Sequence, residues 1–222
     1  MDNLLLEFVK VATLNHLIWL ELNKQITNNS AEEINKDFLS PISSKAETYT
    51  DGKVGYKSIE LSAIAKFFKE ILDTKEEKVV FENTLAYSLH GIDAITKDKN
   101  GIYTIYEIKG TSRKIRSAKS YLTKTKHKGR QLTLQWCWYS LTDFAELPPA
   151  ANIFLQLYEN FINQKVKRKL SIVESQIQDD NSYLGTKMHI YDFDSLNIVD
   201  DYDMSKQKLM LKNLKKGNYE SK

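Results

Sequence analysis

Three side chains stand out for their types and spacing: Asp93 within Gly91-Ile92-Asp93-Ala94-Ile95, and Glu107 and Lys109 within Tyr103-Thr104-Ile105-Tyr106-Glu107-Ile108-Lys109. Two carboxylates set among apolar neighbours are costly to desolvate and repel one another unless a cation or donor compensates them. A divalent cation with a taste for oxygen ligands, Mg²⁺ or Mn²⁺, would do so. A lysine beside it could orient or deprotonate a water and stabilise charge on a phosphate. The set would thus suit metal-assisted hydrolysis of a phosphate ester. Two common enzyme routes, thiolate metal sites and zincins, are closed. The only cysteine, Cys137, forms no internal disulfide and no multi-thiolate zinc site, and His16, His90, His127 and His189 fall in no ligand spacing. With 8 Gly and 3 Pro in 222 residues and no GxGxxG or GxxxxGK[ST], a glycine-rich phosphate loop is not expected.

For this chemistry the two segments must lie side by side. Residues 102–109 carry large apolar side chains at alternate positions on both faces, which predicts a central strand with Glu107 and Lys109 on the face of Ile105. Residues 91–96 predict the preceding strand, and Lys97-Asp98-Lys99-Asn100-Gly101 between them suits a hairpin turn. The same Glu-x-Lys spacing would also arise at a solvated strand end, and burial separates the two readings. A third acid, Glu60, falls on one stripe with Ile64, Phe67 and Ile71 of a helix expected over 58–72. An ordinary first-turn glutamate, favoured by the helix dipole, would sit there too. Glu70 and Glu82 are weaker alternatives.

The rest of the chain reads as an α/β protein. A mixed central sheet flanked by helices is expected, with a strand over 78–87, helices over 131–144 and 150–163, and further strands over 169–178 and 186–193. Apolar residues at spacings of three and four from Leu4 to Leu22 predict an amphipathic helix. Residues 1–50 are therefore read as an N-terminal helical arm with its connection, and 51–222 as the main domain; the tail from Lys206 reads as basic and frayed. The amino-terminal apolar stretch is broken by Glu7 and Lys10 and lacks a basic leader, so neither a signal peptide nor a membrane span is expected. A cytoplasmic site of action follows, in the producing cell or, for a delivered protein, in a target cell.

The charge balance is local. Lys and Arg number 32 against 29 Asp and Glu, a formal net charge of +3. Yet between Glu107 and Asp143 there is no acid, while Lys109, Arg113, Lys114, Arg116, Lys119, Lys124, Lys126, Lys128 and Arg130 are all cationic. A run of this kind is often a solvated face; without balancing acids it could also, together with His127, track a nucleic-acid backbone. Trp136 and Trp138 are read mainly as core and the histidines as structural.

Taken together, Glu60 in a helix, the Asp93 strand, the polar turn and Glu107-Ile108-Lys109-Gly110 resemble the PD-(D/E)xK nuclease superfamily, with Ile92 where the eponymous proline would stand. Lys128-Gly129-Arg130-Gln131-Leu132 with Trp136 resembles the segment after the active site in nuclease toxins of contact-dependent inhibition and related polymorphic toxin systems. The resemblance spans about residues 55–145. It implies a restriction-endonuclease-like core, metal binding by Glu60, Asp93 and Glu107, assistance to hydrolysis from Lys109, and a contact from Gln131 to metal-bound water or phosphate. It also implies a DNA or RNA substrate and a cognate immunity protein. A non-catalytic nucleic-acid-binding module, or an adaptor or immunity protein, is the alternative from the residues alone.

Overall fold

The structure, a computed structural model, describes residues 63–64, 66–71, 74, 76–82, 91–111, 113–144, 156–177, 183–209 and 212. The expected arm over 1–50 and Glu60 lie outside the described residues. Five strands form one mixed sheet in the order β1-β2-β3-β6-β7: β1 Glu77–Glu82, β2 Ala94–Asp98, β3 Tyr103–Thr111, β6 Lys167–Ile177 and β7 Tyr183–Asp192. All neighbours are antiparallel except β3 and β6, which run parallel from Thr104↔Lys167 to Thr111↔Glu174. β3 is thus central, as its two apolar faces require.

The β2–β3 hairpin is set by its turn chemistry. Asp98 Oδ1 accepts from the backbone N–H groups of Asn100 and Ile102, each at 2.9 Å, and Gly101 adopts a φ of +80°. An Asx-type turn with a left-handed glycine is what Asp-Lys-Asn-Gly supplies. Because Asp98 belongs to both turn and ladder, β2 runs two residues further than the apolar pattern of 91–96 suggests, and it starts later.

A parallel neighbour requires a crossover, and residues 112–166 provide it. It carries a small hairpin of β4 Lys124–Thr125 and β5 Gly129–Arg130, the helix Leu134–Phe144, and a helix over 156–162. Trp136, Cys137 and Leu141 of the longer helix, with Leu157 and Phe161 of the next, cover one sheet face, where they meet Ile95, Ile105, Leu170 and Ile172. The opposite face carries Tyr106, whose ring lies 4.7 Å from that of Phe67 in the helix over 66–71. Burial of aromatic and branched side chains on both faces is the main stabilising term here.

Two expectations are corrected. The helix begins at Leu134 rather than at residue 131, because Leu132 adopts a φ of +65° and the chain turns there before Thr133. The tail does not fray at once: residues 205–209 are helical, anchored by buried Met204 and Gln207. Among the described residues, no helix is long and apolar enough to cross a membrane.

Candidate active site

The pairing Ala94↔Tyr106 places Asp93, one residue before β2, across from Glu107 and on the same sheet face. The Asp93 N–H donates to the Tyr106 carbonyl at 3.3 Å, and Asp93 Oδ2 accepts from the Ile108 N–H at 2.7 Å. The carboxylate therefore closes the hairpin ladder while facing the space above β3. Lys109 projects two residues on from Glu107, so it shares that face.

Glu107 is 1% exposed. A central strand flanked by β2 and β6 and roofed by the Trp136 helix strips a side chain of water, and a charge so placed needs partners. The Lys109 amine donates to Glu107 Oε1 at 2.6 Å, and the Gln131 amide nitrogen donates to the same oxygen at 2.5 Å. Lys109 keeps 18% of its side chain exposed. It thus joins the buried carboxylate to an open cleft of about 700 Å³ whose lining includes Asp93, Glu107, Lys109, Gln131 and the β4–β5 hairpin.

The fold brings Asp93, Glu107, Lys109 and Gln131 together. Gln131, however, sits in the turn before the helix rather than at its start, and its amide is spent within the protein. Its oxygen accepts from the Thr123 N–H at 2.9 Å and the Thr123 hydroxyl at 3.0 Å while its nitrogen holds Glu107. Of the basic run, Arg113, Lys114, Arg116, Lys119, Lys124 and Lys126 are exposed. Lys128 pairs with Asp143 at 2.5 Å, and the Arg130 guanidinium donates to the Leu122 carbonyl at 2.8 Å. Trp136 and Trp138 are buried, as read.

No family model, curated protein or solved structure matches this chain.

The chemistry of the site therefore rests on its geometry. Among the described residues, no group of three or more His, Cys, Asp and Glu side chains is placed to hold a metal ion. Asp93 and Glu107 form a pair, and the third expected acid, Glu60, lies outside the described residues. A pair of carboxylates on an open cleft still suits Mg²⁺, which is commonly held by one or two carboxylates together with substrate phosphates and waters. Cys137 is no rival nucleophile, since burial pushes its thiol far above the ordinary range and it stays protonated.

The cleft is further lined by His127 in the β4–β5 turn, which the reading of the basic run includes, by Thr123 just before β4, and by Asp143 of the helix. Sequence reasoning missed Thr123 and Asp143. A second polar cluster was also missed: Arg168 donates to the Leu132 carbonyl at 2.9 Å, pairs with Asp200, and stacks 4.4 Å from the centre of the Phe193 ring. Asp200 in turn accepts from the Leu134 N–H at 2.8 Å, so this cluster fixes the start of the helix that roofs Glu107.

Proposed function

We propose that the protein is a metal-dependent endonuclease of the PD-(D/E)xK kind, hydrolysing phosphodiester bonds of DNA or RNA. The observation that carries this reading is that Asp93, Glu107 and Lys109 share one sheet face and line one cleft, whose opposite wall is basic. A bound Mg²⁺ or Mn²⁺ would be held by Asp93 and Glu107, with Glu60 as the third ligand the resemblance implies, and would supply Lewis acidity and a water of lowered pKa.

The chain's own groups have separable tasks. Asp93, tied to the Ile108 N–H, keeps a fixed position relative to Glu107. Gln131 holds Glu107 in one orientation. Lys109 compensates Glu107 from 2.6 Å and presents its amine to the cleft, where it can stabilise charge developing on a phosphate. The low-dielectric surroundings of Glu107 strengthen each of these interactions.

Action inside a target cell, as a toxin nuclease neutralised by an immunity protein, belongs to the same proposal. Incubation of the chain with plasmid DNA and with total RNA, in Mg²⁺ and in EDTA, tests it. Cleavage in Mg²⁺ that stops in EDTA and in Asp93→Asn is expected. Intact polymers at enzyme excess, with binding retained, would replace this reading with that of a non-catalytic nucleic-acid-binding module.

A further inference from the structure

The basic run is divided by the fold in a way its composition conceals. Its nine cations do not make one surface: Lys109, Lys126 and Lys128 line the cleft, with His127 beside the last two, whereas Arg113, Lys114, Arg116 and Lys119 do not, and Arg130 is used to tie its own segment to Leu122. Lys126, His127 and Lys128 form the turn between β4 and β5.

That turn is closed by its own bonds. The strands pair Lys124↔Arg130 and Thr125↔Gly129, the Thr125 hydroxyl donates to the Gly129 carbonyl at 2.8 Å, and Gly129 takes a φ of +83° that an L side chain rarely adopts. Its base is tied to the carboxylate site through Gln131. Gln131 bonds Thr123 through its oxygen and through its own N–H, and bonds Glu107 through its nitrogen. Gln131 thus bridges the base of the hairpin directly to Glu107, while the Lys128–Asp143 pair and the Thr133 hydroxyl, which donates to the Arg130 carbonyl at 2.7 Å, fasten the hairpin to the helix.

We propose that the β4–β5 hairpin is the substrate-gripping wall of the cleft, with Lys126 and His127 holding phosphates that flank the cleaved one, Lys128 bracing the turn through its pair with Asp143, and Gln131 acting as the positioning residue that registers this grip on Glu107. The inference rests on the nuclease reading and deepens it. Flanking phosphates are bound equally in ground and transition states, so weakening the grip on them raises KM and leaves kcat alone. Losing the register affects both.

The test uses the full chain and fluorescent DNA and RNA oligonucleotides, with binding measured in EDTA and steady-state cleavage in Mg²⁺. Lys126→Ala/His127→Ala alters exposed side chains and should leave the fold intact. Removal of the Lys126–phosphate interaction should weaken binding about five- to eight-fold near 0.1 M salt and reduce the slope of log K against log salt by about 0.7–0.9, and loss of the His127 hydrogen-bonding group should weaken binding further. KM should rise correspondingly at constant kcat, while Lys208→Ala, away from the cleft, changes neither. Gln131→Ala should lower kcat and raise KM, and the effect of Lys126→Ala on KM should shrink in the Gln131→Ala background, because an unregistered tip no longer grips. A merely structural Gln131 would leave that effect undiminished.

A double variant with wild-type KM and salt slope, in an enzyme that cleaves, overturns the hairpin inference and leaves the nuclease reading standing. Tip-dependent binding without cleavage overturns the nuclease reading alone. Absence of binding to either polymer overturns both.

Discussion

Lys109→Ala tests the electrostatic logic of the site without recourse to turnover. Its amine lies 2.6 Å from Oε1 of a carboxylate whose side chain is only 2% exposed. Breaking a fully buried ion pair costs about 3–5 kcal/mol, chiefly because a charge is left behind without compensation. Here the amine is partly solvated, and Gln131 still donates to the same oxygen after the substitution. The expected loss is therefore about 1–3 kcal/mol. For a chain of this size that lowers the melting temperature by about 2–12 °C. The assay is thermal unfolding followed by circular dichroism, in EDTA and in Mg²⁺. A divalent cation bound at Asp93 and Glu107 compensates the same carboxylate that Lys109 does, so Mg²⁺ should raise the melting temperature of Lys109→Ala by more than it raises that of the wild type. Two results would refute the reasoning. Melting of the variant within about 1 °C of the wild type in EDTA would mean that Lys109 does not compensate Glu107. An equal or smaller Mg²⁺ shift in the variant would mean that the metal is not held at this carboxylate.

Asp93→Asn keeps an oxygen to accept from the Ile108 N–H and removes only the charge, so cleavage should fall about a hundredfold or more while stability changes by less than about 1 kcal/mol; a gel time course and a melt decide it, and near-wild-type cleavage rules out Asp93 as a ligand. Arg168→Met leaves Asp200, whose side chain is 10% exposed, without its guanidinium, and should cost about 3–5 kcal/mol. Adding Asp200→Asn should restore part of that loss in urea denaturation, and strict additivity would show that the pair is not coupled. Tyr106 donates to Glu77 Oε2 at 3.1 Å, and burial together with the Glu77 charge pushes its phenol well above the ordinary tyrosine range. The folded state therefore holds this proton where the unfolded chain releases it. Its contribution to stability is complete below about pH 10 and is lost as pH rises further. Tyr106→Phe should show the same ultraviolet phenolate signal as the wild type up to about pH 11 while folded, and a smaller signal in the variant would contradict the shift.

The legible parts of the fold were those in which local pattern and tertiary need agree. The two-faced apolar run through Glu107 favoured a covered strand over a solvated strand end, and Asp98 to Gly101 suited a chain reversal, so the hairpin and the shared face of Asp93, Glu107 and Lys109 were legible, and the burial of Glu107 decides between the two readings. The β4–β5 hairpin was hidden because its strands are two residues long, too short for alternation to register, and its turn is held by Gly129 and by a glutamine rather than by an Asn-Gly pair. Arg168 and Asp200 were hidden for a different reason. They lie 32 residues apart and meet only because β6 pairs parallel to β3 and carries Arg168 beneath the start of the roofing helix.

That same parallel pairing explains why the site has its form. An antiparallel neighbour could have followed β3 through a short turn, leaving the Glu107 end of the strand facing solvent. A parallel neighbour forces the chain out past Thr111 and back to the other end of the sheet, and the outgoing segment must pass over the C-terminal end of β3. In this chain that segment holds the hairpin, Gln131 and the Trp136 helix. The crossover that buries Glu107 is therefore also what supplies its glutamine partner and the basic wall facing it. Burial of the carboxylate and cationic lining of the cleft are consequences of one connection, and a substitution that shortened the crossover between Thr111 and Leu134 would be expected to remove both together.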